Sequence, residues 1–465
     1  MAALLAGCAL PPRPTVPAPA TASPTAWHAS LPSAAASGDP IATSQPASWW
    51  AGFGDALLPS LIEAAQGASA SLSAAAARIE AARAARVAAG SALTPRLDGT
   101  GAVARARSGP ELPVTDSASL GVQAGWEIDL FGGRAAARDA AARRLEAAQA
   151  QWHAARLALA AEVATGYVAL RACEAQLEQT TSDAESRVQS ATLTEQSAKA
   201  GMLPPASAAL ARASAAQGRS QLVQQRAACE ALRKSLVALT AIEEPLLRQR
   251  LAAYEARQPQ PAGGRVTSLP AALLQQRPDL VASMHLVQAA AAERSQATAE
   301  RQPQLSLAGS IGFMRVSSGA GTQDGATWSI GPLSVSLPLF DGGRRAAQEG
   351  AARAAYDDAV VQLQAALRGA VREVEEALVA IESVASREAD IGVATEGFEA
   401  SLRAADARWR GGVGSLFELE DARRSALGAR SALVELRRER AIAWINLYRA
   451  LGGGWSPDDL AAAGR

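Results

Sequence analysis

Two stretches of the chain change from alternating to helical periodicity at a pair of glycines. Leu120, Val122, Ala124, Trp126 and Ile128 alternate with Ser119, Gly121, Gln123, Gly125 and Glu127, the pattern of a strand with one greasy and one wet face. That run closes in Leu130-Phe131-Gly132-Gly133, beyond which apolar residues recur every three or four positions through an Ala-rich stretch. Leu333, Val335, Leu337 and Leu339 likewise share a phase and lead through Phe340 and Gly342-Gly343 into another helical stretch. A strand therefore feeds a helix twice, about 210 residues apart, well beyond the roughly 20 to 50 residues of a solenoid period. Elsewhere Pro95-Arg96-Leu97 with Gly101 matches Pro303-Gln304-Leu305 with Gly309, and Gly201 before Met202 to Arg212 matches Gly412 before Val413 to Arg423. Each copy reads helix, strand, strand, long helix, glycine turn, long helix.

These signals predict a first repeat over 48–257 and a second over 269–452, joined by a Pro/Gly linker at 258–268. Strands are expected at about 96–107 and 119–129, with a polar loop from Ser108 to Ala118, and at about 304–315 and 328–339. Trp328 and Ile330 stand in the opposite phase to Leu333 and Val335, which predicts a bulge at Gly331-Pro332, where proline cannot donate to a ladder. A single helix is expected from Leu57 to about Ala92, and long helices over about 134–200, 205–240, 344–410 and 415–451. Arg134 to Lys199 alone is 66 residues, or about 100 Å at roughly 1.5 Å per residue. Tyr356, Val360, Leu363, Leu367, Val371, Val374, Leu378 and Ile381 step as a coiled-coil seam, and Leu416, Leu419, Leu433, Leu436, Trp444 and Tyr448 continue it on the returning helix.

Strands of about ten residues suit a tilted bilayer crossing. Four strands cannot close a barrel, and open edges do not persist in lipid; three copies would supply twelve. The expected fold class is therefore mostly α with a membrane β-barrel: a trimer with a twelve-stranded barrel on a long α-helical barrel. The competing reading is a soluble sheet buried against helices.

Composition narrows the picture. Net charge is zero, with aromatics at 4% and hydrophobics at 49%, so no nucleic-acid or acidic partner is implied and thin helix-on-helix packing is favoured. No apolar run reaches the roughly 18 residues of a membrane-spanning helix. Leu5-Ala6-Gly7-Cys8 has the form of a bacterial lipobox, with Cys8 as the lipid-bearing residue and 1–8 as a signal remnant. The residues before Cys8 carry no Lys or Arg and are too few for a signal peptide, so the natural start is expected upstream; the plain alternative is an ordinary cysteine in a tail. Residues 9–47, rich in Pro, Ala, Ser and Thr, read as an extended tether, and 453–465 as a flexible tail. Cys173 and Cys229 lie almost equidistant from Gly201 on two arms of one hairpin, either bonded or as two buried free thiols. His28, His153 and His285 are the only histidines, no Cys/His spacing suits a metal and no nucleophile or phosphate-binding motif appears. No catalytic residue, metal or cofactor is expected beyond a covalent N-terminal lipid.

Taken with Leu5 to Cys8, Trp49 to Asp55, Leu269-Pro270, Arg277-Pro278-Asp279, both Leu-Phe joints and the two glycine-turn segments, the chain resembles the TolC-like outer-membrane efflux-duct family, in its OprM/NodT-like lipoprotein branch. The resemblance spans nearly the whole mature chain. It implies a homotrimeric, passive duct in the outer membrane that reaches into the periplasm. There it would meet a periplasmic adaptor (a membrane fusion protein) and an inner-membrane pump, expected to be of the RND type. It further implies that the hairpin tips contact the adaptor: Gly201, Met202 and Leu203 in the first repeat, Arg410, Gly411, Gly412 and Val413 in the second. Met202-Leu203-Pro204-Pro205 departs from the family's small, polar tip. Paired acids, here Glu418 and Asp421, would line a constriction and attract cations; the bland reading is a solvated acidic face near a helix N-terminus. Alongside a small-molecule export duct stand two other readings: the exit duct of a type I protein secretion system, and a structural coiled-coil lipoprotein that conducts nothing.

Overall fold

The computed structural model describes residues 26–29, 46–107, 109–254, 257–263, 277–319 and 321–456. Cys8, residues 9–25 and 30–45 of the tether, 264–268 of the linker, Leu269-Pro270 and the chain beyond 456 lie outside the described residues. Of the tail expected to be flexible, Gly453 and Trp455 are instead buried, the Gly453 carbonyl accepting the Tyr448 hydroxyl at 2.6 Å. The elements are α1 (Pro46–Ala51), α2 (Leu57–Ala68), α3 (Ala70–Ser91), β1 (Arg96–Ala106), β2 (Thr115–Ile128), α4 (Gly133–Lys199), α5 (Pro205–Thr240) and α6 (Glu244–Ala253). Then follow α7 (Pro278–Ala299), β3 (Gln304–Ser318), β4 (Gly321–Ser336), α8 (Arg344–Arg410) and α9 (Leu416–Ala450). The chain is thus mostly helical with a small sheet, and the order helix, strand, strand, long helix, long helix occurs twice.

Two compact units divide it. The first contains residues 76–150 and 281–366, and so the whole sheet. Its strands are ordered β1-β2-β3-β4, each antiparallel to the next. Register puts Leu97, Leu120, Val122, Trp126, Leu307, Ile311, Phe313, Trp328, Ile330, Leu333 and Val335 on one face, because directly paired residues share a side. The other face carries Ser119, Gln123, Ser306, Ser310, Thr327 and Ser329. The ladder shifts between Leu307 and Gly309, opposite Gly331-Pro332, and this brings the even-numbered Trp328 and Ile330 onto the same side as Leu333 and Val335. On the polar face Gly121 pairs with Gly312. A Cβ on either would come within 2.8 or 2.7 Å of a carbonyl oxygen on the other strand, so only glycine permits this close approach. Helix packing in this unit centres on Val287 and Ala291 of α7 against Tyr356 and Leu363 of α8.

Strand β2 begins at Thr115, inside the stretch expected to be loop, and β4 begins at Gly321 and stops at Ser336, before Leu337 and Leu339. The starts of β2 and β4 are polar on both sides and lack the alternation that marks a half-buried strand; cross-strand pairs such as Arg105–Asp116 at 3.6 Å and Ser317–Thr322 at 2.8 Å hold them. The helix expected from Leu57 to Ala92 is two helices. Ser69 adopts an extended conformation after α2, and its hydroxyl accepts the Leu72 N–H of α3 at 3.3 Å, the ordinary use of serine as an N-cap.

The second unit contains residues 22–75, 151–280 and 367–465. Its core sets Trp49 flat on Tyr448, with ring centroids 4.6 Å apart, and Trp50 edge-on to the same ring. Leu58, Leu61, Leu170, Leu236 and Trp444 are fully buried in this unit. Around Arg171, itself buried, the Tyr167 hydroxyl accepts from Nε, Glu174 takes Nη1, and the Leu251 carbonyl accepts from Nη2. Tyr167 donates to Asp55 at 2.6 Å, tying the Trp49–Asp55 segment to α4. Burial, reinforced by the Asp55 hydrogen bond, pushes the Tyr167 hydroxyl pKa well above its ordinary value.

Candidate functional site

Each strand-to-helix joint is a capped turn. At the first, Gly132 takes φ +73°, and the Asp129 carboxylate accepts the N–H groups of Arg134 (3.1 Å) and Ala135 (2.8 Å). At the second, Gly342 and Gly343 take φ +65° and +86°, and Asp341 accepts from the N–H groups of Gly343 and Arg345, both at 3.1 Å. The acid precedes Leu130-Phe131 in one copy and follows Leu339-Phe340 in the other, yet each satisfies the orphan donors of a long helix. The backbone N–H of Arg345, then that of Gly343, holds the Asp341 carboxyl below the usual carboxylate range. Leu339 and Phe340 are almost wholly exposed.

The two helical hairpins turn in the same way. Gly201 and Gly412 both have φ +74°. Met202 N–H reaches the Ser197 carbonyl at 2.9 Å and Val413 N–H reaches that of Arg408 at 3.0 Å, while Gly201 and Gly412 donate to Ala198 and Trp409. This is the Schellman arrangement, in which a residue with positive φ closes the helix. Met202 and Val413 are 71% and 75% exposed. Just behind them Leu416, with Trp409 against it, packs on Ala191 and Ala211 of the first hairpin, so both turns belong to one packed end of this unit.

Glu418 and Asp421 lie one turn apart at the start of α9 and are half to two-thirds exposed. Glu418 completes a capping box: its N–H donates to Ser415 Oγ at 3.1 Å, and its carboxylate accepts the Ser415 N–H at 3.4 Å. Arg408 stands 3.6 Å from the Glu418 carboxylate, and Arg424 donates to Asp421 at 3.0 Å. Both acids therefore have a cationic neighbour, and Glu418 also has a local helix-capping role.

Between these acids lies a feature that sequence patterning missed. Arg187 of α4 donates to Asp183 (2.6 Å), Ser214 of α5 (2.9 Å) and Glu420 of α9 (3.3 Å). Arg423 donates to Glu420 (2.5 Å), Ser186 (2.8 Å) and Ser190 (3.3 Å). Arg187 and Arg423 are each 5% exposed. Gly218 leaves room for Arg187, whose Cδ would lie 2.9 Å from a Cβ there. In sequence these residues look like surface pairs at i,i+4 and i,i+3; the only hint is that Glu420 sits next to Leu419 in the apolar stripe. Farther from the tips, Cys173 and Cys229 are joined as a disulfide between α4 and α5, with Cα atoms 5.6 Å apart. Among the described residues no cluster suits a metal ion and no helix is long and apolar enough to cross a membrane.

The profile of the outer membrane efflux protein family matches residues 61–242 and 269–453, one stretch for each repeat. The chain belongs to that family. Over 338 residues, 71% of this chain and 68% of the relative, it is 31% identical to outer membrane protein OprJ of Pseudomonas aeruginosa. It is 29% identical over 433 residues, 88% of each chain, to the pyoverdine export outer membrane protein OpmQ of the same species. A solved membrane protein from Pseudomonas aeruginosa superposes with a TM-score of 0.80 at 28% identity, covering 95% of this chain and 98% of that one. As an outer membrane efflux protein the chain is a passive channel of the outer membrane and not an enzyme.

Proposed function

We propose that the chain works as a homotrimer, the lipid-anchored exit duct of a tripartite pump that carries small molecules from an inner-membrane transporter through a periplasmic adaptor to the outside. The observation that carries this reading is the sheet: one face is continuously apolar, the other small and polar, and neither β1 nor β4 has a partner on its outer edge among the described residues. From Ala118 to Ile128 the apolar face of β2 rises roughly 33 Å at about 3.3 Å per residue. At a tilt of about 40° that gives roughly 25 Å, the height of an outer-membrane apolar band. The face ends in Arg105, Asp116, Arg315 and Asp324, which register gathers at one end of the strands. Closing the edges between three copies makes a twelve-stranded barrel, and the glycine contact of Gly121 with Gly312 suits a concave polar face.

In this reading Met202, Leu203, Gly412 and Val413 meet the adaptor, Asp421 with Glu418 lines the constriction, and Cys8 bears the lipid. OpmQ is named for pyoverdine export and this chain belongs to the outer membrane efflux protein family, so the cargo class is a small secreted or toxic compound set by the pump.

The chain has two lysines, Lys199 beside the first tip and Lys234. An amine-reactive cross-linker added to the assembled system should therefore join the adaptor through Lys199, and Lys199→Arg should abolish that product while leaving the adaptor-dependent export intact. In planar bilayers the purified trimer should show discrete ion-conducting openings. Confirmed trimers that never conduct would favour the structural lipoprotein instead.

A further inference from the structure

Resting on the reading of the α9 start as the constriction, we propose that the duct is charge-indifferent at its narrowest point, with Arg424 as the specificity-determining residue that cancels Asp421. Paired acids alone would form a ring of negative charge favouring cations. Here each acid has a base beside it: Arg424 Nη2 lies 3.0 Å from Asp421 Oδ1, and Arg408 lies 3.6 Å from Glu418. The four side chains are all half-exposed or more, so these pairs are loose and screened. Neutrality does not depend on their holding any one geometry. An ion at the constriction lies within the Debye length of both members of each pair, about 8 Å at physiological salt, and the formal charges of Arg408, Glu418, Asp421 and Arg424 total zero per chain. The next charges along the helices cancel in the same way, Arg410 with Asp406 at 2.9 Å and Arg423 with Glu420.

The sheet carries the same property independently. On its polar face the charged strand residues are Arg96, Asp98 and Glu127. Arg96 pairs with Asp98 at 2.6 Å, and Glu127 pairs with Arg134 of the following helix. The remainder of that face is Ser, Thr, Gln, Gly and small or apolar side chains. A wall of this kind passes cationic, anionic and neutral amphiphiles alike, which suits a duct whose selection is made by the pump.

The test is the reversal potential of single openings in planar bilayers under a potassium chloride gradient, collected at raised voltage if the resting trimer is shut. A trivalent hexaammine cation is then added to each side in turn. Wild type should reverse near zero and resist block. Arg424→Gln should become cation-selective by several-fold and sensitive to the trivalent ion, whereas Arg424→Lys, which keeps the charge, should behave as wild type. A cation-selective wild type whose selectivity vanishes in Asp421→Asn would overturn the cancellation while leaving the constriction in place. Reversal potentials unmoved by every one of these substitutions, in trimers that conduct, would remove the constriction reading and the proposal with it.

Discussion

Arg187 of α4 and Glu418 of α9 show how differently charged side chains are used within one unit. Glu418 is solvated and caps its own helix, so its removal costs little structurally. Arg187 is buried with Asp183 and Glu420, and truncating one partner of a buried ion cluster leaves uncompensated charge. Arg187→Met should therefore destabilise the folded protein by about 3 kcal/mol or more, read as the shift of its thermal unfolding in detergent against the exposed Arg212→Met; equal shifts for both would show that the cluster adds nothing. At Cys173 and Cys229, closing a loop with a sequence separation of 56 residues restricts the unfolded chain by about 4 kcal/mol in the chain-entropy account. The intact mass should rise on reduction by two hydrogens, and Cys173→Ser/Cys229→Ser should unfold at lower temperature. Sequence alone left this pair open, because spacing about Gly201 fixes which residues face each other and not whether thiols are oxidised. It missed the Arg187 cluster for a related reason: burial of a charge depends on three helices meeting, and each helix separately shows only an ordinary ion pair.

At the scale of elements the strands and long helices were legible, since period two and period 3.6 each follow from which side is buried. Even the Gly331-Pro332 interruption was marked, by the phase change between Ile330 and Leu333. What could not be read were ends held by polar pairs, such as Thr115 and Gly321, and the break at Ser69, whose flanking alanines fit a helix equally well. The joints allow a sharper test. Asp341 titrates below the ordinary carboxylate range because the Arg345 and Gly343 N–H groups favour its anion. Its capping contribution is thus present above the unfolded carboxylate value, about pH 4, and is lost as pH falls through the lower folded value. Asp341→Ala should lower the unfolding temperature at neutral pH and converge with wild type in strong acid; a gap that stays constant down to that pH would show that the carboxylate charge is not what caps α8. Gly312→Val should act on the sheet in another way. Its side chain would strike the Leu120 carbonyl, 2.7 Å from the added Cβ, so the outer-membrane trimer proposed above should be lost, whereas Gly325→Val, with open space around it, should assemble.

For the whole molecule the decisive quantity is which face of the sheet meets lipid, because a single chain exposes both. Ile330 and Ser329 are neighbours on β4 pointing to opposite sides, Ile330 level with Gly309 and Ser329 with Ser310. Ile330 is 87% exposed in one chain, a waste of apolar area in water that becomes favourable burial in a bilayer. An arginine placed near the middle of a lipid-facing barrel wall costs about 2–4 kcal/mol, and a trimer bears that cost three times; an arginine in a water-filled lumen costs far less. Ile330→Arg should therefore deplete the protein from the outer membrane, while Ser329→Arg should insert normally and alter only conductance. Equal insertion of the two variants would mean that the apolar face is covered by protein, and the twelve-stranded closure would have to be replaced by an assembly in which sheets pack on one another. The neighbouring positions make this contrast informative, since strand propensity, depth and distance from the bulge are nearly the same and only the side of the wall differs.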